Sequence, residues 1–204
     1  MLVVTCQNTT NINFSSLLLT KVNNYLLELT PLQFRTIITL CQHTGKPLTQ
    51  AEIARQTNAS PPGIKKTLKT LQEHNLITSK QGPTPNTQLI ELATNKQTTQ
   101  LKQTYNLLQI HQSGLTQQLE NTYPGTTIIL FGSYNRGEDT IRSDIDIAII
   151  GTKPKHPNLQ EYEEKLKRTI NIQHYDTLKE IHQELKENIL NGTLLAGTIH
   201  DTGL

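Results

Sequence analysis

Two short apolar runs, one ending on a Gly-Ser pair and the other opening on paired aspartates, constrain this chain more than anything else in it. The first reads Ile128-Ile129-Leu130-Phe131-Gly132-Ser133. Ten residues later the second reads Asp144-Ile145-Asp146-Ile147-Ala148-Ile149-Ile150. Side chains alternate across a strand, so Asp144 and Asp146 share one face while Ile145 and Ile147 anchor the other in a core. Two carboxylates side by side on a rigid strand repel each other unless a divalent cation lies between them. Hard oxygen ligands of this kind select Mg²⁺ or Mn²⁺. Upstream, the small Gly132 lets backbone approach a phosphate closely, and the amides after it, with the Ser133 hydroxyl, can donate to phosphate oxygens at a helix start. The pattern is that of metal-assisted chemistry on a nucleoside triphosphate.

This arrangement resembles the minimal nucleotidyltransferases of the DNA polymerase β superfamily. Gly132-Ser133, the ten-residue spacer, Asp144-x-Asp146, Arg136-Gly137-Glu138 and Ser143 all match, over roughly residues 123 to 201. The resemblance implies an α/β core of the α+β type with a mixed sheet. It assigns Asp144 and Asp146 to the metals as catalytic residues, and Gly132 and Ser133 to the phosphates of a nucleoside triphosphate, with ATP the expected donor. One metal would hold the triphosphate and the other would activate the attacking hydroxyl, expelling pyrophosphate. Arg136 is the nearest candidate to offset triphosphate charge, with Arg142 next, since a guanidinium fits phosphate oxygens with parallel donors. Each could equally pair with Glu138 or Asp139.

The family usually takes a third carboxylate from the next strand, as catalytic-metal ligand and proton acceptor. Here that strand reads Thr169-Ile170-Asn171-Ile172-Gln173-His174-Tyr175-Asp176, and its polar face shows Asn171, Gln173 and Tyr175. We place Gln173 at the third site position, with Asn171 taking it in a shifted register. Neither can take a proton at neutral pH. His174 faces the other way, and Asp176 reaches the site only through a bulge.

The N-terminal half carries a different set of signals. Thr30 and Pro31 open a helix with Phe34, Ile37, Ile38 and Cys41 on one face, closing at Gly45. Thr49 and Glu52 are spaced as a capping box for a second helix. Ser60 caps a third, with Ile64, Leu68 and Leu71 as its apolar face and Asn75 in the left-handed position that ends it. Residues 76–78 and 88–92 then read as the strands of a hairpin around a turn at 81–86. Three short helices and a hairpin make a mainly helical winged helix-turn-helix, and Leu48 to Ile77 looks like the repressor-type winged-helix families. That likeness implies a recognition helix at Ser60 to Asn75 meeting duplex DNA through Ser60, Gly63, Lys65, Lys66, Thr67 and Lys69, with Lys80 at the wing. Three lysines neutralise few phosphates, so two copies would be needed, which makes a homodimer an expectation. A winged helix used for protein contacts is the competing reading.

Residues 95–121 form a further helical stretch, with Leu101, Tyr105, Leu108, Gln112, Leu115 and Leu119 at four-three spacing. After the aspartates we expect a helix carrying Leu159, Tyr162 and Leu166, and a last helix capped by Thr177 with Glu180, carrying Leu178, Ile181, Leu185 and Ile189. The resulting division is 1–29, an N-terminal helical segment centred on residues 15–28; 30–92, winged helix-turn-helix; 93–122, linker helix; and 123–204, nucleotidyltransferase-like domain.

Bulk properties narrow the rest. At 204 residues with a net charge of +2, any nucleic-acid affinity must come from a local patch. Cys6 and Cys41 lack a pairing pattern, the apolar runs are far shorter than a membrane span, and the N-terminus has no signal-like region, which together predict a cytoplasmic protein without a membrane partner. The remaining histidines have no ligand spacing, which argues against structural zinc. Two functions fit these features. One is an enzyme that moves a nucleoside monophosphate to a hydroxyl on protein, nucleic acid or a small molecule. Resemblance allows a partner toxin as that acceptor. The other is a DNA-binding regulator whose nucleotidyltransferase-like domain senses nucleotide without turnover.

Overall fold

The computed structural model describes residues 29–199, and the helix expected at 15–28 lies outside them, as does Cys6. Helix α1 (Pro31–Gln42) starts as expected: the Thr30 hydroxyl accepts from the Gln33 amide and the Gln33 side chain accepts from the Thr30 amide. Its buried face is Thr36, Ile37, Thr39, Leu40 and Cys41, whereas Phe34 is 50 % exposed and points away from the core. Strand β1 (Leu48–Thr49) leads into α2 (Gln50–Thr57), whose Thr49–Glu52 capping box closes as the spacing requires. Helix α3 (Pro61–Glu73) buries Ile64, Thr67, Leu68 and Leu71, and Asn75 takes a φ of 55° just after it. Strands β2 (Ile77–Gln81) and β3 (Gln88–Leu92) pair antiparallel from Ile77↔Leu92 to Gln81↔Gln88, and β1 adds to the far edge of β3. This is a winged helix-turn-helix, packed around Ile37, Ile53, Ile64, Leu71 and Ile90.

The stretch expected as one long helix is two. Helix α4 (Lys96–Ser113) ends at Gly114, which lies in the left-handed region at φ 84°, and α5 (Leu115–Thr122) starts there at a new angle. The four-three seam is therefore interrupted. Leu101 and Tyr105 belong to the winged-helix core, whereas Ile110, Leu115 and Leu119 belong to the next one. The face of α4 also buries Lys102 and Asn106, whose polar groups are satisfied by the loop after Tyr134.

The C-terminal part is a four-stranded mixed sheet in the order β6-β5-β4-β7. Strand β4 (Thr127–Phe131) runs into the short helix α6 (Gly132–Arg136), then β5 (Ile145–Ile150), α7 (Gln160–Leu166) and β6 (Ile170–Tyr175) follow. Strands β5 and β6 are parallel, and β4 pairs antiparallel with β5 and with β7 (Thr193–Ala196). One face carries Ile128, Leu130, Ile145, Ile147 and Ile149 against α4 and α5; the other buries Ile129, Phe131 and Ala148 under Ile181 and Ile189. The last helix starts later than expected. Thr177 makes no side-chain cap, residues 178–180 form a single tight turn, and Ile181 is extended with its side chain driven into the sheet, so α8 spans only Gln183–Leu190. Strand β7 had no alternating signature to announce it.

Tyr123 and His174 stitch the sheet to the end of α5. His174 Nε2 lies 2.9 Å from the Tyr123 hydroxyl, which donates to the Lys155 carbonyl. Burial holds the His174 imidazole below its ordinary value, and the neighbouring His156 adds to the effect. A depressed folded-state value means that the unfolded chain takes up protons first, so stability is intact above pH 6.5 and falls as pH drops through the folded-state value. We predict that His174→Phe reduces this acid-side loss in thermal melts between pH 7.5 and 5; an unchanged pH slope would contradict the assignment.

Candidate nucleotide site and nucleic-acid interface

Phe131 and Asp146 are register partners on β4 and β5, so the Gly-Ser turn and the second aspartate meet at one end of the sheet. Gly132 has a φ of +77°, and a Cβ built there would lie 2.5 Å from the Asp146 Oδ2 atom. Only glycine supplies both the left-handed turn and the room for that carboxylate. The turn feeds α6, whose start has no side-chain cap, leaving its first amides available to an anion. The half-buried Ser133 hydroxyl makes no hydrogen bond with the described residues, while the Ser133 carbonyl closes the helix by accepting from Gly137 and Glu138. Asp144 is exposed and sits just before β5, one alternation from the half-buried Asp146. Asp146 thus stands against the turn, with Asp144 two residues before it on the approach to β5.

Asn171, not Gln173, stands opposite Asp146. Parallel pairing sets Asp146 opposite Asn171, and the Asn171 Nδ2 atom donates to Asp146 Oδ1 at 3.2 Å. Gln173 pairs with Ala148, about 6.6 Å further along the strand, and accepts from the Tyr175 hydroxyl at 2.6 Å. Asp176 lies past the opposite end of β6, roughly 16 Å from Asn171. No bulge brings it back, since the β5–β6 register is continuous from Ile145 to Ile150. Asn171 and Gln173 share one face of β6, and only the strand register separates them.

Arg136 is engaged within the protein: its Nε donates to Glu138 at 2.7 Å and its Nη1 to Asn188 at 3.0 Å. Arg142 is exposed beside Asp144, on the rim of a groove of about 370 Å³ between residues 141–144 and α7. Among the described residues no three of His, Cys, Asp or Glu converge on one point. The candidate donors are the Asp144 and Asp146 carboxylates, with the Asn171 amide nitrogen donating to Asp146. That set suits a hard divalent cation whose remaining ligands come from a triphosphate and water.

On the N-terminal part, Lys65, Lys66 and Lys69 are exposed on α3, with Lys69 3.9 Å from Glu73. Ser60 is exposed, and its hydroxyl accepts from the Gly63 amide. Thr67 is buried and does not belong to this surface. Lys80 is exposed at the wing but pinned to Glu91 at 2.7 Å, a contact set by cross-strand geometry. Between the start of α3 and the wing runs a groove of about 670 Å³ lined by Gln50, Lys65, Asn86 and Gln88 among others. Gln50 and Asn86 carried no signal of their own in the sequence. Charge is divided unevenly: residues 29–113 hold nine Lys and Arg against three Asp and Glu, while residues 114–199 hold nine against twelve. The near-neutral total therefore conceals a basic winged helix.

Comparison with known proteins agrees with this geometry. Residues 113–196 match the family model of the nucleotidyltransferase domain, and residues 29–118 match that of Rrf2, described as an iron-dependent transcriptional regulator. A putative protein adenylyltransferase of Methanocaldococcus jannaschii is 46 % identical over 44 residues, 22 % of this chain and 44 % of that protein. The chain thus spans under half the length of that curated relative. Among solved structures, S. aureus MepR bound to DNA is 20 % identical over 54 % of this chain and 90 % of its own, with a TM-score of 0.38. The zinc-responsive MarR family member ZitR of Lactococcus lactis is 25 % identical over 47 % and 63 %, with a TM-score of 0.36. The chain thus joins a winged helix-turn-helix, over a stretch similar to the Rrf2 model, to a stretch that matches the nucleotidyltransferase-domain model.

Proposed function

We propose that this protein binds a metal-nucleoside triphosphate, with ATP as donor, at Gly132, Ser133, Asp144 and Asp146, and transfers the nucleoside monophosphate to a hydroxyl on a protein. The observation that carries this reading is the Gly132–Asp146 approach, which sets a phosphate-type turn against a metal-type carboxylate. The protein acceptor is suggested by the similarity to the putative protein adenylyltransferase of M. jannaschii. A bound Mg²⁺ or Mn²⁺ would supply charge neutralisation at the phosphates and polarise the attacking hydroxyl. The chain's own groups hold the donor: the amides of α6 and the Ser133 hydroxyl orient phosphate oxygens, and Asp144 and Asp146 fix the ion. The acceptor oxygen bonds to the α-phosphorus, the bond to the bridging oxygen of the β-phosphate breaks, and pyrophosphate departs.

The hydroxyl proton has no carboxylate to receive it at Asn171. An amide is not a base at neutral pH, so the proton leaves to solvent, and turnover is slow and rises with pH. This same residue supports a second reading, in which the domain senses nucleotide for the winged helix without turnover. Incubation with Mg²⁺ and α-labelled ATP decides between them. We predict that Asn171→Asp raises label transfer by roughly 10²-fold or more, the lower end of the general-base range, with little change in ATP affinity. If the parent and Asn171→Asp both bind ATP and both stay inert, the enzyme reading is lost and the sensor reading stands.

For the N-terminal domain we propose duplex DNA as the partner, through Ser60, Lys65, Lys66, Lys69 and the wing at Lys80. The excess of basic residues over 29–113 supports this, and so does the groove between α3 and the wing. Affinity should fall steeply with salt, and two copies on adjacent half-sites would supply the phosphate contacts that one helix lacks. We predict that Lys65→Ala with Lys66→Ala and Lys69→Ala abolishes a gel shift on duplex DNA at low salt. A shift that survives the triple change, or none from the parent, makes this winged helix a protein-contact module.

A further inference from the structure

The ten residues between Ser133 and Asp144 are held largely from outside the nucleotidyltransferase core, with Arg168 of the core itself 3.6 Å from Asp139 Oδ2. Lys102, in the middle of α4, is 2 % exposed and places its ammonium 2.9 Å from Asp139 Oδ1, on a carboxylate that is itself 1 % exposed. The same ammonium also donates to the Asp139 main-chain carbonyl. One turn along α4, the Asn106 amide donates to Asp139 Oδ1 at 2.7 Å and to the Tyr134 carbonyl at 2.8 Å. A second tether comes from the α1–β1 connection: the Thr44 carbonyl accepts from the Ile141 amide at 2.9 Å. Gly45 follows at φ +86°, where a Cβ would stand 3.0 Å from the Thr140 side chain. Beyond these tethers the loop closes on itself, with the Thr140 amide donating to Ser143 Oγ at 2.9 Å and the Ser143 amide to the Thr140 carbonyl at 3.0 Å. The next residue is Asp144.

A buried ion pair is seldom better for stability than apolar side chains of the same volume, so its presence calls for a positional reason. Here the lysine grips both the side chain and the backbone of the residue five positions before Asp144, which is how an outer group fixes the orientation of a metal ligand. We propose that Lys102 is a positioning residue for the metal-binding aspartates, so that the nucleotide site is held in shape by the helix that leaves the winged-helix domain. This rests on the metal-nucleotide reading above.

The test uses the full chain, with Mn²⁺ and ATP as probes. Lys102→Met should weaken ATP binding in Mn²⁺ by roughly tenfold to a hundredfold, the usual effect of losing an outer-shell partner, and leave the weaker binding in EDTA unchanged. General loss of structure would lower both. Hydrogen exchange at the Ile141 amide should accelerate in the free variant. Because Lys102→Met leaves the buried Asp139 with only Arg168, 3.6 Å from its Oδ2, as a cationic partner and can compromise folding, two further variants carry the same expectation. Lys102→Met with Asp139→Asn removes both charges, and Gly45→Ala presses on Thr140 from the winged-helix side without touching either. Folded variants that match the parent in Mn²⁺-ATP affinity overturn the proposal, and unchanged exchange at Ile141 overturns the tether by itself. A parent that binds no Mn²⁺-ATP overturns the nucleotide reading instead.

Discussion

The function proposed for the C-terminal domain rests on one close approach, that of the Asp146 carboxylate into the space left by the missing side chain of Gly132. The approach is possible because β4 and β5 pair with Phe131 opposite Asp146, so the residue after the partner is the one that must turn away. Gly132 turns at a positive φ, which starts α6 with its first amides uncapped on the side where the carboxylate stands. Positive amide ends and a negative carboxylate are thereby presented together. A metal-bound phosphate satisfies both at once, since the ion neutralises the acid while the amides receive the oxygens.

The sheet behind this site explains why it is rigid. Ile145, Ile147 and Ile149 are fully buried on one face and Ala148 on the other, so β5 cannot slip by one residue without exposing its whole apolar set. Parallel pairing with β6 then fixes Asn171 beside Asp146. The residue beside Asp146 on β6 is therefore an amide, Asn171, and not a carboxylate. An amide at that position is why the proposed enzyme and the proposed sensor are neighbouring readings of one site.

Much of this was legible from local chemistry. The caps at Thr30, Thr49 and Ser60, the left-handed Asn75, the hairpin and the paired aspartates all depend on side chains within a few residues of each other. What the sequence could not express was long-range. The choice of Asn171 over Gln173 is made by strand register, and the exposure of Phe34 by which face of α1 meets the core. The break at Gly114 follows from α4 and α5 serving two different cores, and β7 is recruited by the open edge of β4. Lys102, which carried no signal in the sequence, is among the most buried charges of the described residues.

The central claim is that Gly132 and Asp146 form one metal-nucleotide site. Calorimetric titration of ATP into the parent, Gly132→Ala and Asp146→Ala, each in Mg²⁺ and in EDTA, addresses it directly. The account predicts tight binding by the parent only in Mg²⁺, with both variants reduced to the metal-free level. Equal Mg²⁺-dependent affinity in all three would contradict it.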